Sequence, residues 1–291
     1  IVNTSSEKDR GRSLTIQATI QSVGGAFGYF VGGFLGEISL DVTFGAQALT
    51  LFLCGVMFFV FCKDDKKAGM GRIQPAQIVR DANPFAAFIA SRQFMNILFA
   101  VLFTVTALQN LGYTAFEQCF NYFIKDAFHM TSRYNGLIKG VIGFVSLAAN
   151  ATICMWMIRK TNVKRSVIYI LGACTCAALS VVFIDAVAPL MVMSVVFYTF
   201  NAVSIPLLQD LVAKRAAQGK DSNLIMGFYN ATKSLGGIIG SLVAGLVYTV
   251  GPKLAFVFAG VMLLVATLFS IVYSRMKDGT ENEPAPALSQ K

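Results

Sequence analysis

Eight long stretches of this 291-residue sequence contain no Asp, Glu, Lys or Arg, and each is at least 19 residues long. A helix needs about 20 predominantly apolar residues to cross the hydrocarbon core of a bilayer. A helix in water would instead carry a polar stripe along its outer face. The pattern predicts an all-α membrane protein, a bundle of eight transmembrane helices. The stretches are 13–36, 42–62, 93–116, 140–158, 166–184, 186–209, 234–252 and 254–274.

The composition excludes the common soluble classes of protein. Hydrophobic residues make up 55% of the chain and charged residues only 13%, whereas about 25% of the residues in a soluble domain are charged. A net charge of +9 is compatible with nucleic-acid binding only if the basic residues form a patch. They are spread over the ends of the apolar stretches, so we expect no nucleic-acid partner.

The basic residues predict the orientation of the helices. The connections at one end of the eight helices (1–12, 62–92, 158–165, 213–222 and the tail from 275) hold 19 Lys and Arg, and those at the other end hold three. Loops rich in Lys and Arg stay in the cytoplasm. Both ends of the chain are therefore predicted to be cytoplasmic in a multi-pass cell-membrane protein. We refer to the two ends of the helices as the predicted inner end and the predicted outer end.

A polar connection at 63–92 divides the chain into two helices and six helices. We expect residues 1–62 to end an N-terminal helical half, 63–92 to be a cytoplasmic central loop and 93–277 to be a C-terminal six-helix half. The polar, proline-containing residues 278–291 are expected to be disordered. The chain begins with Ile-Val-Asn-Thr rather than Met, so we expect it to be a fragment.

An internal repeat relates the two parts of the chain. Ser22–Gly36 aligns without gaps with Ser234–Tyr248, and six positions are identical, four of them glycines. Parallel repeats of this kind imply halves related by an axis along the membrane normal. Glycines about one turn apart allow close helix packing, and such a seam is either a purely structural interface or a hinge. The predicted hinge residues are Gly24, Gly28, Gly32, Gly236, Gly240 and Gly245.

These features resemble the major facilitator superfamily. The resemblance rests on the loop at 63–92, Glu7-Lys-Asp-Arg-Gly-Arg12, the basic turn Arg159-Lys-Thr-Asn-Val-Lys-Arg165 and Asn223-Leu-Ile-Met-Gly227 before the second glycine run. It implies that the chain corresponds to helices five to twelve of a twelve-helix transporter. Gly28-Tyr29-Phe-Val-Gly32-Gly33 further resembles the antiporter motif of drug:proton exporters, with Tyr29 where that motif has proline.

Two charged residues within the apolar helices are candidates for proton coupling or for a gate. A charge at membrane depth costs at least about 2.5–3.5 kcal/mol on insertion scales, and such residues are functional candidates. Glu117 lies at the predicted outer end of the third helix, and Lys139 lies early in the fourth. An ion pair between them would close an outer gate, and Glu117 would load and release a proton. Alternatively, both side chains reach water independently.

The substrate cavity is predicted to be lined by polar residues of several helices. Lys233 corresponds to Gln21 in the repeat, and Asn230 precedes Lys233 by one turn. For Lys233 the alternative is snorkelling to the cytoplasm, and for Asn201 it is a hydrogen bond to a neighbouring helix. Pro206 is expected to break its helix, and Asp210 to join an inner charge cluster with Lys214 and Arg215. The cavity residues are Gln21, Tyr113, Asn201, Asn230 and Lys233.

Aromatic residues crowd the end of the third helix. Phe116, Phe120, Tyr122 and Phe123 predict either an aromatic cavity for apolar or cationic substrates or an interfacial belt. The six cysteines lack metal-site spacing and are expected to be small buried hydrophobic residues. With one histidine in the chain, we expect no metal and no cofactor.

The sequence predicts a secondary transporter that moves a small solute by alternating access, by proton-coupled export of an apolar or cationic compound. We expect it to work as a monomer in the lipid bilayer. The alternative is a proton-coupled uptake symporter for a sugar, nucleoside or carboxylate, favoured by Tyr29 and the amide side chains. A membrane enzyme or sensor is a third class, but catalysis would need a cluster of His, Asp or Cys, so we expect no enzyme.

Overall fold

A computed structural model describes residues 7–61, 91–216 and 222–276, and these residues form helices without strands. Eight long helices follow one another in these ranges. The predicted central loop and C-terminal tail lie almost wholly outside the described residues. The helices are α1 (Glu7–Ile38), α2 (Leu40–Phe61), α3 (Ile97–Phe128), α4 (Ser132–Lys160), α5 (Val163–Ser180), α6 (Val187–Ala216), α7 (Ser222–Val250) and α8 (Pro252–Arg275).

The helices confirm the all-α membrane architecture. Each coincides with one charge-free stretch of the sequence, and α2 to α8 are long and apolar enough to cross a bilayer. The apolar part of α1, Val23–Ile38, is shorter. Short connections join α3 to α4, α4 to α5, α5 to α6, and α7 to α8. One of them contains His129, whose positive φ of 50° ends α3 while its backbone N–H donates to the Ile124 carbonyl.

Helices α3 to α8 form one bundle with α3 at its centre. Helix α3 packs along α7 and α8, while α5 lies between α8 and α6, and α6 also contacts α4. Helix α1 packs against α4 and has only a small contact with α2, and no residue of α2 is buried. The contact between α1 and α4 therefore joins the first part of the chain to the six-helix bundle.

Close backbone approach at the α1–α4 contact depends on glycine. A Cβ at Gly33 would lie 2.6 Å from the Gly136 Cα, and a Cβ at Gly143 would lie 2.7 Å from the Ala26 Cβ. Both distances are shorter than real Cβ contacts, so larger residues at these positions would push the helices apart. On α7, a Cβ at Gly240 would lie 2.5 Å from the Leu111 carbonyl oxygen, and one at Gly236 would strike the Ala107 carbonyl.

Four of the glycines predicted to form a close-packed hinge make no close contact among the described residues. A Cβ at Gly24, Gly28, Gly32 or Gly245 would meet no atom within 4 Å among the described residues. For the three glycines of α1 the repeat gives the reason, since their counterparts on α7 include Gly236 and Gly240, which pack against α3. The described part of the chain holds no counterpart of α3 beside α1. The close contact of α1 is made by Gly33 instead. Nothing among the described residues explains the open space at Gly245.

Proline does not break α6. The helix continues from Val187 to Ala216 with Pro206 inside it, so the expected break is wrong. Packing of α6 against its neighbours keeps the helix continuous, as tertiary contacts allow in membrane bundles. The irregular turn lies in α4 instead, where residues Asn150–Cys154 form a π-helical segment.

Candidate functional site

An ion pair between two predicted site residues lies inside the helical bundle. The Lys139 Nζ is 3.1 Å from the Glu117 Oε1, and the side chains are 5% and 20% exposed, respectively. The same Nζ donates to the Tyr198 hydroxyl at 2.7 Å and lies 4.3 Å from the centroid of the Tyr198 ring. The ammonium group of Lys139 is thus held by a carboxylate, a hydroxyl and an aromatic face.

Three helices position this arrangement. Glu117 comes from α3, Lys139 from α4 and Tyr198 from α6. Tyr113 precedes Glu117 by one turn, and its ring packs edge-on against Tyr198 with centroids 6.3 Å apart. We refer to Tyr113, Glu117, Lys139 and Tyr198 as the Glu117 cluster.

Helix α1 brings one further tyrosine to the Glu117 cluster. Tyr29 is close enough to Glu117, Tyr113 and Tyr198 to interact electrostatically with each of them. Its backbone carbonyl lies against Gly136, where a Cβ would come within 2.6 Å of it. Tyr29 therefore links the first part of the chain to a charged site in the six-helix bundle.

The Glu117 cluster can change its net charge by a single proton. With Glu117 ionised, the carboxylate and the Lys139 ammonium neutralise each other, which makes their burial tolerable. Protonation of Glu117 removes that compensation and leaves Lys139 with the neutral tyrosines, a costly state away from water. The electrostatic balance of the site therefore depends on whether Glu117 holds a proton.

Asn201 is placed in the core of the bundle and not in a cavity. Its side chain is 3% exposed, and its Oδ1 accepts a hydrogen bond from the Gln109 Nε2 at 2.7 Å. Gln109 also donates to the Ser204 hydroxyl at 3.2 Å. The cavity prediction for Asn201 is corrected to a buried polar contact between α3 and α6, the alternative that the sequence left open.

Of the other predicted cavity residues, Tyr113 of α3 belongs to the Glu117 cluster, while Asn230 and Lys233 lie on α7. Asn230 is exposed and Lys233 is half-buried, with the Lys233 Nζ 5.7 Å from the centroid of the Tyr229 ring. The backbone carbonyl of Lys233 accepts a hydrogen bond from the Asn110 side chain. The side chain of Gln21 lies outside what the structure describes. A cavity formed by these residues stays a prediction.

The aromatic residues of α3 do not line a cavity. Phe116 and Phe120 are fully buried and Phe123 is 9% exposed. Phe116 stacks on Phe197 of α6 with ring centroids 3.8 Å apart. Only Tyr122 of the four is exposed. Their spacing along α3 puts the three phenylalanines on the face that packs against α6 and α8, so they belong to the core.

The remaining predictions concern the predicted inner end and the cysteines. Asp210 pairs with Lys214 at 2.6 Å, and the Arg215 Nε donates to the Tyr273 hydroxyl at 2.8 Å. Among the described cysteines, Cys119, Cys154 and Cys174 are buried, whereas Cys54 and Cys176 are exposed. The described residues contain no group of three or more His, Cys, Asp or Glu side chains that could hold a metal ion.

The sequence pointed to Glu117 and Lys139 but missed Tyr198. Tyr198 lies within a charge-free apolar stretch, where a tyrosine looks like any other core residue. Helical spacing gave no signal, since its partners come from two other helices. The sequence drew attention to Tyr29 only because the exporter motif has proline at that position. That difference did not predict that Tyr29 lies within electrostatic range of Glu117.

Comparisons with known proteins add two findings. Residues 1–220 match the family described as Major Facilitator Superfamily. The chain is also similar to Multidrug resistance protein 2 of Bacillus subtilis (strain 168), with 20% identity over 273 residues. That similarity covers 93% of this chain and 66% of the relative, so the chain spans a little less than two thirds of the relative's length.

Proposed function

The chain belongs to the major facilitator superfamily, and from this premise we propose that it exports an apolar or cationic compound in exchange for protons by alternating access. Membership in a family of transporters confirms the prediction that the chain is not an enzyme. The resemblance to a protein named for multidrug resistance supports the export direction and the substrate class.

The observation that carries the proposal is the buried ion pair of Glu117 and Lys139. A buried ion pair is weak evidence for stability, because desolvation offsets most of the Coulombic attraction. Charged residues in membrane spans are costly and mark substrate and proton pathways. Glu117 is the carboxylate of this pair, so we assign proton coupling to it and the role of its charge partner to Lys139.

Coupling follows from the electrostatics of the Glu117 cluster. When Glu117 is ionised, its attraction to Lys139 holds α3 and α4 together at the predicted outer end, where α4 also packs against α1. When Glu117 takes up a proton, the attraction is lost and the outer end can separate. The ion pair is then the gate, and proton binding favours the state open to the outer side.

The contact between α1 and α4 is proposed as the surface on which the two parts of the chain rock. Gly33 and Gly136 allow the backbones to touch there. The protein would work as a monomer in the cell membrane with both ends of this chain in the cytoplasm, in accord with the distribution of Lys and Arg.

Ethidium accumulation in everted vesicles that contain the full-length protein tests the proposal. With an imposed pH gradient, the wild type should accumulate the dye, and Glu117→Gln should reduce gradient-driven accumulation about tenfold or more, a barrier change of about 1.4 kcal/mol. Asp126→Asn is the matched control, since Asp126 is an exposed carboxylate of α3 that accepts a hydrogen bond from Tyr248. Unchanged gradient dependence in Glu117→Gln would contradict the proposed coupling role.

Uptake by a proton symporter is the second candidate function. Tyr29 favours it, because the exporter motif has proline at this position. In everted vesicles, a symporter would move a sugar or nucleoside out of the lumen together with protons. If protons moved when a sugar was transported but not when ethidium was transported, the result would support the symporter.

A further inference from the structure

A cavity of about 350 Å³ lies at the predicted outer end, next to the Glu117 cluster. Three helices line it, with Glu37 from α1, Asn121 and Lys125 from α3, and Ser132 and Asn135 from α4. The cavity is therefore bounded by both parts of the chain, and its size depends on how α1 sits against α4.

The cavity leads toward the ion pair. Asn121 follows Glu117 by four residues, and Asn135 precedes Lys139 by four residues, so each amide lies one helical turn outward from a charged partner. One turn corresponds to about 5.4 Å along a helix axis. The lining of the cavity therefore includes one residue a single helical turn from Glu117 and one a single turn from Lys139.

Two amide oxygens lie between the cavity and the ion pair without a partner. The Oδ1 atoms of Asn121 and Asn135 are buried, and neither has a hydrogen-bond partner among the described residues. A buried acceptor without a donor costs about 1–3 kcal/mol. Water in a polar cavity of this size can supply the missing donors, because one water needs only a small fraction of the volume.

We propose that this cavity is the port through which protons reach Glu117 from the predicted outer side, carried by water held between Asn121 and Asn135. The inference rests on the proposed function, which assigns proton coupling to Glu117. A hydronium ion at the floor of the cavity donates its proton to the Glu117 carboxylate, which leaves a water molecule and a neutral carboxyl group. No bond other than the two O–H bonds changes.

The charged groups around the port fit this role. Lys139 from α4 pairs with Glu117, and Tyr198 from α6 accepts a hydrogen bond from the Lys139 ammonium group. Tyr113 of α3 and Tyr29 of α1 lie within electrostatic range of the Glu117 carboxylate. At the rim, Glu37 lies 3.8 Å from Arg133 and Lys125 is exposed. These rim groups carry charges of both signs, so they create no strong electrostatic field of one sign at the mouth of the cavity.

The test compares leucine and serine variants at the two amides. Asn121→Leu and Asn135→Leu fill the floor of the cavity with apolar atoms and should slow gradient-driven ethidium accumulation about tenfold. Asn121→Ser and Asn135→Ser keep the site polar and should remain close to the wild type. Ethidium exchange at equal pH on both sides is the second readout, and it should survive in all four variants because it needs no net proton transfer.

The outcomes distinguish a failure of the port from a failure of the proposed function. Leucine variants with full gradient-driven accumulation, beside an uncoupled Glu117→Gln, would overturn the port and leave the role of Glu117 standing. Normal coupling in Glu117→Gln would overturn the proposed function and the port with it. If a leucine variant also loses ethidium exchange, the Thr131→Val variant is used to test the port. It removes one hydroxyl group from the exposed side of the cavity. A wild-type rate of gradient-driven accumulation in Thr131→Val would then reject the port, and a clear fall would support it.

Discussion

At the scale of single residues, the Glu117–Lys139 pair is a site where removing one charge is worse than removing both. Glu117→Leu leaves the buried Lys139 ammonium without its counter-charge, and breaking a buried pair in this way costs about 3–5 kcal/mol. The double variant Glu117→Leu/Lys139→Met should recover most of that loss. Thermal unfolding of the purified variants measures the difference, and equal stability of the single and double variants would contradict direct pairing.

Exchange of the two charges tests the pair by function. Lys139→Glu places two carboxylates together and should abolish gradient-driven accumulation, while adding Glu117→Lys should restore the attraction and part of the activity. The expected recovery is partial, because Tyr198 would then face a carboxylate instead of an ammonium. Gradient-driven ethidium accumulation is the readout, and absence of any recovery would count against the ion pair as the gate.

The buried amide contact is a structural feature of the core. Asn201→Leu removes the acceptor of Gln109 and should cost about 1–3 kcal/mol of stability because Gln109 stays buried without it. Gln109 keeps its donation to Ser204, which places the expected loss near the lower end of that range. The melting temperature should fall, while the apparent affinity for ethidium should not change. If the apparent affinity for ethidium changed and the melting temperature did not, Asn201 would instead be a residue of the substrate cavity.

At this scale the sequence predicted the charged residues and missed their neutral partners. Glu117 and Lys139 stand out because charge is rare in apolar helices, and the cost of burying it is independent of the fold. Polar side chains such as that of Tyr198 are tolerated singly in membrane helices. Their importance depends on which residues of other helices they meet, and that depends on packing.

At the scale of the helices, the glycines of α1 and α4 make a specific prediction. Gly136→Leu should prevent close contact with Gly33 and separate α1 from α4, since even one Cβ at Gly136 would lie 2.6 Å from the Tyr29 carbonyl oxygen. Gly32→Leu is the matched control, because a Cβ there meets nothing within 4 Å among the described residues.

Transport activity and the yield of folded protein measure this effect. We expect Gly136→Leu to lose both and Gly32→Leu to retain most of the yield. A fully active Gly136→Leu variant would show that α1 and α4 do not need to touch, and the rocking surface proposed above would then be wrong.

The helices themselves were the most predictable level of structure. Charge-free stretches placed all eight, because the cost of burying charge in a bilayer acts on each helix separately. The faces of the helices were less predictable. Glycine spacing identified α1 and α7 as closely packed helices, but the face of α1 that makes the contact depends on its neighbour α4, and this moved the contact from Gly24, Gly28 and Gly32 to Gly33.

At the scale of the whole molecule, the two parts of the chain meet near one charged site. Helix α1 reaches the six-helix bundle at α4, and Tyr29 of that helix lies within electrostatic range of Glu117. A proton on Glu117 therefore changes the balance at the contact between the parts. Because this contact is also the proposed rocking surface, protonation and movement are coupled at one place.

Substrate-induced proton movement measures this central claim most directly. Everted vesicles containing the full-length protein are acidified inside, and the internal pH is followed while ethidium is added outside. The account predicts prompt proton release on ethidium addition with the wild type and none with Glu117→Gln. Ethidium accumulation by the wild type without proton release would contradict proton-coupled export through the Glu117 cluster.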